Sequence, residues 1–136
     1  MIDPPKVLIV DDDASIRGLL AEVVRREGRT PVLAASGVEG YASLAALGPR
    51  ISMVLLDLTM PEMDGFAFRD LQLEDPDLAE IPTVVLTGHA LTADQLSFMR
   101  PAAVLQKPAP LADIRSVIRQ FAQHTGTPTP AHVTRS

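Results

Sequence analysis

The sequence predicts an α/β fold built on a parallel sheet with helices on both faces. Three observations predict it. Five short apolar runs, too short for helices, alternate with five segments of helical length and spacing. The stretches between them are short, as connections in strand–helix–strand units are. The runs are apolar without alternation, which suits strands covered on both sides by crossover helices. No internal repeat and no second domain interrupts this pattern over 136 residues.

Met1–Pro5 is a lead-in expected to fray. Val7–Val10 is apolar and rich in β-branched residues, the mark of a buried strand, and Asp11-Asp12-Asp13 follows directly. Ile16, Leu19, Leu20, Val23 and Val24 share one helical face, with Arg17, Glu22, Arg25 and Arg26 mostly elsewhere, and Gly28 supplies the stop. Pro31–Ala35 is a weaker second strand. A helix from Val38 to Leu47 follows, its apolar face assigned to Val38, Tyr41, Ala42 and Ala45, and Gly48-Pro49 ends it. Met53–Leu56 is the third strand, with Asp57 at its far end. Pro61 ends any regular element there, and Asp64-Gly65 signals a turn or a helix cap.

Phe66–Glu74 is helical by length and composition, although the spacing of Phe66, Phe68, Leu71 and Leu73 is irregular. Pro76–Glu80 is a loop, and Thr83–Leu86 is the fourth strand, closed by Thr87-Gly88. Leu91–Met99 is a short helix that Pro101 terminates. Ala103–Leu105 is the fifth strand, closed by Gln106-Lys107-Pro108. Leu111–Gln123 is the last helix, with Leu111, Ile114, Ile118 and Phe121 on one face. Residues 124–136 are rich in Thr and Pro, lack apolar periodicity and are expected to be disordered. The chain therefore reads as a lead-in over 1–5, one domain over 6–123 and a tail over 124–136.

Composition removes several function classes. There are no cysteines, which excludes disulfides, thiolate metal sites and cysteine nucleophiles. The net charge is −5 and no dense Lys/Arg tract occurs, which argues against direct nucleic-acid binding. The N-terminal apolar run is stopped by three acids and is no signal peptide. Nothing approaches the roughly 18 apolar residues of a membrane span. A cytoplasmic location with no membrane contact is the resulting expectation.

In an open parallel sheet, ligands bind beyond the carboxyl ends of the strands, near the point where strand order reverses. The residues just past those ends are Asp11 and Asp12, Asp57, Thr87 and Lys107. Each has a structural explanation by itself. An Asp caps a helix, most readily Asp13 here; a Thr before Gly is a turn residue; a Lys before Pro is commonly solvated. Four such explanations at one rim are a weaker account than a site. Two unit charges about 5 Å apart repel by about 3 kcal/mol at an effective dielectric near 20. Three crowded carboxylates with one ammonium would therefore raise one pKa or recruit a cation. Oxygen ligands favour a hard divalent ion, Mg²⁺ in a cell, and the absence of thiols and clustered His disfavours zinc. The set suits a phosphoryl group on Asp57, with the metal and Lys107 neutralising its oxygens. Thr87 and the backbone N–H groups of Thr59 and Gly88 would supply hydrogen bonds.

These residues resemble the receiver domain of bacterial two-component response regulators. The resemblance runs from about Lys6 to Gln123. It rests on Val-Asp-Asp at 10–12, Leu-Asp-Leu-Thr-Met-Pro-Glu-Met-Asp-Gly at 56–65, Leu-Thr-Gly at 86–88 and Lys-Pro at 107–108. It implies a flavodoxin-like (βα)5 fold, a three-layer sandwich with strand order 2-1-3-4-5. It implies that Asp57 takes a phosphoryl group from a phosphohistidine on a sensor histidine kinase or a histidine phosphotransfer protein. Mg²⁺ would be held by Asp12, Asp57 and the backbone carbonyl of Thr59, with Asp11 acting through water. Thr87 and Lys107 would bind phosphoryl oxygens, Lys107–Pro108 would be cis, and the aspartyl phosphate would hydrolyse slowly without a separate enzyme. The phospho-state would alter this chain's own surface, formed by the fourth helix, fifth strand and fifth helix, through which a downstream partner binds.

Two departures accompany the resemblance. The aromatic residue common three positions before the Lys is Val104 here, so the usual pairing of Thr87 with an inward-swinging ring is absent. The segment from Thr87 to Lys107 is also a residue or two short, which implies a fourth helix that is short or mobile. Thr59 and His89, each two residues past Asp57 or Thr87, are the side chains expected to tune phosphoryl lifetime. Phe98 is either an exposed partner anchor or a packing residue. A non-switching interaction module with the same fold is the alternative function. A phosphatase of the haloacid-dehalogenase kind is a poorer match, because its Asp-x-Asp arrangement followed by a hydroxyl residue and its cap domain are missing. A nucleotide-binding role is a poor match too, because no Gly-rich loop follows the first strand. The sequence leaves homodimerisation, the cognate kinase and the pathway open.

Overall fold

A computed structural model describes residues 3–58 and 64–123. It contains β1 (Lys6–Val10), α1 (Ala14–Arg26), β2 (Thr30–Ala34), α2 (Gly37–Leu47), β3 (Ile51–Asp57), α3 (Gly65–Glu74), β4 (Thr83–Thr87), α4 (Ala93–Met99), β5 (Ala103–Gln106) and α5 (Leu111–Phe121). The strands form one five-stranded parallel sheet in the order β2-β1-β3-β4-β5. The predicted fold class and strand order are those observed. The expected Thr/Pro-rich tail, the start of the lead-in and Pro61 lie outside the described residues.

Apolar side chains leave the sheet on both sides, as a covered parallel sheet requires. Val7, Ile9, Met53, Leu55 and Leu86 meet Leu20, Val24, Ile114 and Ile118 of α1 and α5. Leu8, Val10, Val54, Leu56 and Val85 meet Leu44, Phe68 and Met99 on the opposite face. All seven residues of β3, Asp57 included, are buried, so it is the central strand of the sheet in environment as well as order. Burying each of its large aliphatic side chains contributes about 2 kcal/mol. That wall fixes where the strand ends, and so where Asp57 stands.

The helix boundaries follow local chemistry. Asp13 caps α1 by accepting from the Ser15 and Ile16 backbone N–H groups, the role expected of it. Gly28, at φ 79°, takes the left-handed conformation that closes the turn after α1. Asp64 caps α3 by accepting from the Ala67 N–H. Thr92 and Gln95 form a reciprocal capping box at α4.

Four helical faces differ from the sequence reading. In α2 the buried residues are Gly37, Gly40 and Leu44, while Val38 is 52% exposed and Ala42 and Ala45 are exposed. The helix lies so close to β1 that a Cβ on Gly40 would sit 2.9 Å from Val10 Cγ2 and 3.1 Å from a Phe68 ring carbon. Apolar periodicity cannot register a face made of glycine. In α3 the buried side is Gly65, Phe68, Arg69 and Gln72, a helical stripe with two polar members, which explains its irregular apolar spacing. In α5, Leu111 is exposed and the inward face is Ile114, Val117 and Ile118. Leu19 of α1 is likewise exposed, Ala21 being buried instead. The fourth helix is short, as expected, at seven residues.

Candidate functional site

The ladder explains which residues share the rim. Val10 pairs with Leu56, so Asp11 and Asp57 are the next residues on adjacent central strands. Asp57 is level with Leu86 of β4, and Thr87 is level with Gln106 of β5. The Lys107 N–H then donates to the Thr87 carbonyl at 2.7 Å, which holds the chain beyond β5 against the end of β4. Lys107–Pro108 is cis, as the resemblance implies.

Carboxylate oxygens of Asp11, Asp12 and Asp57 lie within 4.8 Å of one another, with Asp11 and Asp57 buried and Asp12 exposed. Lys107 Nζ is 3.2 Å from Asp57 Oδ1 and 3.5 Å from Asp11 Oδ2. Burial alone would lower the Lys107 pKa, but the charges of Asp11 and Asp57 and their hydrogen bonds outweigh it and raise the value. The ammonium therefore stays charged through neutral pH. Asp11 is further fixed by the Asp13 N–H, which donates to Oδ1 at 2.9 Å, and by Arg17 Nη1, which donates to its backbone carbonyl at 2.8 Å.

Three acids face one ammonium here, so the pocket retains net negative charge and offers oxygen donors alone. That donor set fits a hard divalent cation such as Mg²⁺ and does not fit a thiophilic one. Thr87 is buried at the same rim. Its hydroxyl donates to the His89 carbonyl at 2.9 Å and accepts from the His89 N–H at 3.1 Å. His89 and Gly88 are exposed. Val104 is 37% exposed on β5. Thr59, expected to contribute a carbonyl and an N–H, lies outside the described residues.

Two residues at the site escape the sequence reading. Arg17 falls among the outward-facing residues of α1 by spacing, and no spacing rule links it to a carbonyl six residues upstream. Gly65 reads as a turn residue, but its role is close approach. A Cβ there would stand 2.6 Å from Leu58 Cα and 2.7 Å from the Asp57 carbonyl oxygen. The Gly65 N–H donates to the Leu58 carbonyl at 3.0 Å, which docks the start of α3 directly behind Asp57.

Fold and rim together define a flavodoxin-like α/β domain whose sheet ends in a cation-capped carboxylate pocket. Comparison with known proteins gives that class a family. The family described as the response regulator receiver domain matches residues 7–119, and the chain belongs to it. It is thus a receiver domain of two-component response regulators, a family of phosphoacceptors.

Among curated relatives, it is 28% identical over 123 residues to the DNA-binding dual master transcriptional regulator RpaA of Synechocystis, covering 89% of this chain and 50% of that protein. The chain spans about half the length of the first curated relatives it matches. Among solved structures, the N-terminal domain of a response regulator receiver protein from Methanoculleus marisnigri is similar at a TM-score of 0.69 and 28% identity, covering 85% of this chain and 94% of that one. Chemotaxis protein CheY4 of Vibrio cholerae shares the fold at a TM-score of 0.79 and 24% identity, covering 87% and 98%. No helix among the described residues is long and apolar enough to cross a membrane.

Proposed function

We propose that this chain is a cytoplasmic, Mg²⁺-dependent phosphoacceptor in which Asp57 receives a phosphoryl group from a phosphohistidine of a sensor kinase or phosphotransfer protein. The observation that carries the reading is Lys107 Nζ within 3.2 Å of Asp57 Oδ1, beside two further carboxylates at one strand rim. A carboxylate oxygen of Asp57 attacks phosphorus as the N–P bond breaks, and the imidazole keeps the electron pair and gains a proton. Asp12, Asp57 and the Thr59 carbonyl would hold Mg²⁺, with Asp11 acting through water. When bound, the ion supplies the charge neutralisation that phosphoryl transfer needs.

Lys107 then exchanges a carboxylate contact for a phosphoryl oxygen. Thr87 must release His89 before its hydroxyl can donate to a second one, giving up hydrogen bonds worth about 1 kcal/mol net each. That release would alter the face formed by α4, β5 and α5, where Leu96, Phe98, Val104 and Leu111 are exposed to a downstream partner. Water attack on the acyl phosphate ends the signal slowly, at a rate set in part by Thr59 and His89.

Incubation with acetyl phosphate or phosphoramidate and Mg²⁺ tests the chemistry. One phosphoryl group per chain is expected, abolished by EDTA and by Asp57→Asn. Persistence in Asp57→Asn would remove Asp57 from the role. The non-switching reading has one observation in its favour, the half-exposed Val104 in place of a ring. Amide exchange with and without beryllofluoride decides between them, because a protection change over Leu91–Val104 is expected only of a switch.

A further inference from the structure

Arg69 is a buried cation, 4% exposed, with no carboxylate within ion-pair distance among the described residues. Its guanidinium instead reaches across to the end of another helix. Nε donates to the Met99 carbonyl at 2.7 Å and Nη2 to the Arg100 carbonyl at 2.9 Å, while Nη1 donates to Thr83 Oγ1 at 3.0 Å. Met99 is the last residue of α4 and Arg100 is its cap, in the left-handed conformation at φ 44° that a non-glycine residue rarely takes. Helix-end carbonyls have no partner within their own helix, and a cation there also meets the negative end of the helix dipole.

The same knot holds the base of β4. Thr83 Oγ1 donates to Gln72 Oε1 at 3.1 Å, and the Thr83 carbonyl accepts from the Ala102 N–H at 2.9 Å. Releasing Arg69 would strand a buried charge and two carbonyls at once, so this end of α4 is held firmly.

The rest of α4 buries little, its N-terminal end being held by the Thr92–Gln95 capping box and by Leu91, which packs against the core from the edge. Met99 is its one buried residue, and residues 88–90 upstream are exposed. The chain between Thr87 and α4 is closed by the Thr87–His89 turn, at the site itself.

We infer that Arg69 is the positioning residue that pins the C-terminal end of α4, so that opening of the Thr87–His89 turn swings the helix from its N-terminal end about a fixed point at Met99–Arg100. The inference rests on the phosphoacceptor reading and adds to it which part of α4 responds. Displacement then grades from large at Gly88–Gln95 to none at Arg100 and Ala102. With Val104 in place of a ring, the swing is the route by which Leu96 and Phe98 change position.

Site-resolved amide exchange of the full chain with Mg²⁺ and beryllofluoride tests this, with shifts at Asp11–Asp13 reporting occupancy independently. Expected are exchange changes of at least about tenfold within Gly88–Gln95 and less than twofold at the Arg100 and Ala102 amides. An occupied site with equal or larger changes at Arg100 and Ala102 overturns the pivot while leaving phosphoacceptance intact. A site that never fills overturns the phosphoacceptor reading and the pivot with it. In Arg69→Met, the Arg100 and Ala102 amides should exchange at least about tenfold faster and join the beryllofluoride response, with β1 and β3 amides unchanged. Wild-type protection at both amides in that variant also overturns the pivot.

Discussion

Lys107 joins two carboxylates that otherwise repel, and its replacement separates its electrostatic role from its chemical one. In Lys107→Met, Asp11 and Asp57 lose their common cation in a buried setting. Because the ammonium is 31% exposed, the loss of stability is expected to be about 1–2 kcal/mol rather than the larger cost of breaking a fully buried pair. Added Mg²⁺ should then stabilise the variant more than the wild type, since the ion supplies the missing charge, and urea unfolding with and without Mg²⁺ measures the difference. Phosphoryl uptake should fall at least about 100-fold even with Mg²⁺, because no group replaces the ammonium at the phosphoryl oxygen. Thr59→Ala and His89→Ala should act on the opposite step. Both should alter the decay of the phosphorylated protein more than global stability; unchanged decay in both variants refutes a tuning role for the pair.

At the scale of elements, the approach of α3 to β3 makes a sharp prediction. Gly65→Ala places a methyl group against backbone atoms at Leu58 and Asp57, which cannot move aside as a flexible side chain can. Overpacking of this kind costs about 1–3 kcal/mol, and it would also shift Asp57, the proposed acceptor, so slower phosphoryl uptake is expected with it. Gly18→Ala is the matched control. Gly18 sits exposed within α1 with nothing within 4 Å of where its methyl group would stand, and Ala there should stabilise by about 1 kcal/mol in urea unfolding without changing uptake. The contrast shows what the sequence can and cannot reveal. β3 and β4 are legible because buried parallel strands are continuous apolar runs, and a strand's end places the next residue on the rim. Asp11, Asp57 and Lys107 are legible for that reason. The inward faces of α2 and α3 are not, because one is built from glycine and the other carries Arg69 and Gln72. The Thr87–His89 turn is hidden too, since a local hydroxyl–backbone pair leaves no periodic trace.

Across the whole molecule, chemistry and closure occupy opposite poles. Strands and helices run antiparallel in this architecture, so the ends of α1 and α5 lie away from the rim that carries Asp57. There Arg119 Nε donates to Glu27 Oε1 at 2.6 Å, and Arg29 Nε donates to the Ala122 carbonyl at 3.0 Å. These contacts tie the end of the first helix to the end of the last. The hydrogen bond from Arg119 and its charge lower the Glu27 pKa below the ordinary value of 4.5, while the Arg119 pKa is raised in return. A carboxylate with a depressed folded pKa contributes stability that is fully present above its unfolded value. That contribution is lost as pH falls through the folded value. Glu27→Gln should therefore be less stable than the wild type by a constant margin at pH 6–8. The margin should shrink below 4.5 and vanish once Glu27 is protonated in the wild type as well. Urea midpoints across that range measure it, and a margin that persists undiminished in acid would assign the contact to packing rather than charge. Phosphoryl uptake at neutral pH should be the same in both proteins, because nothing in the carboxylate pocket touches this pole.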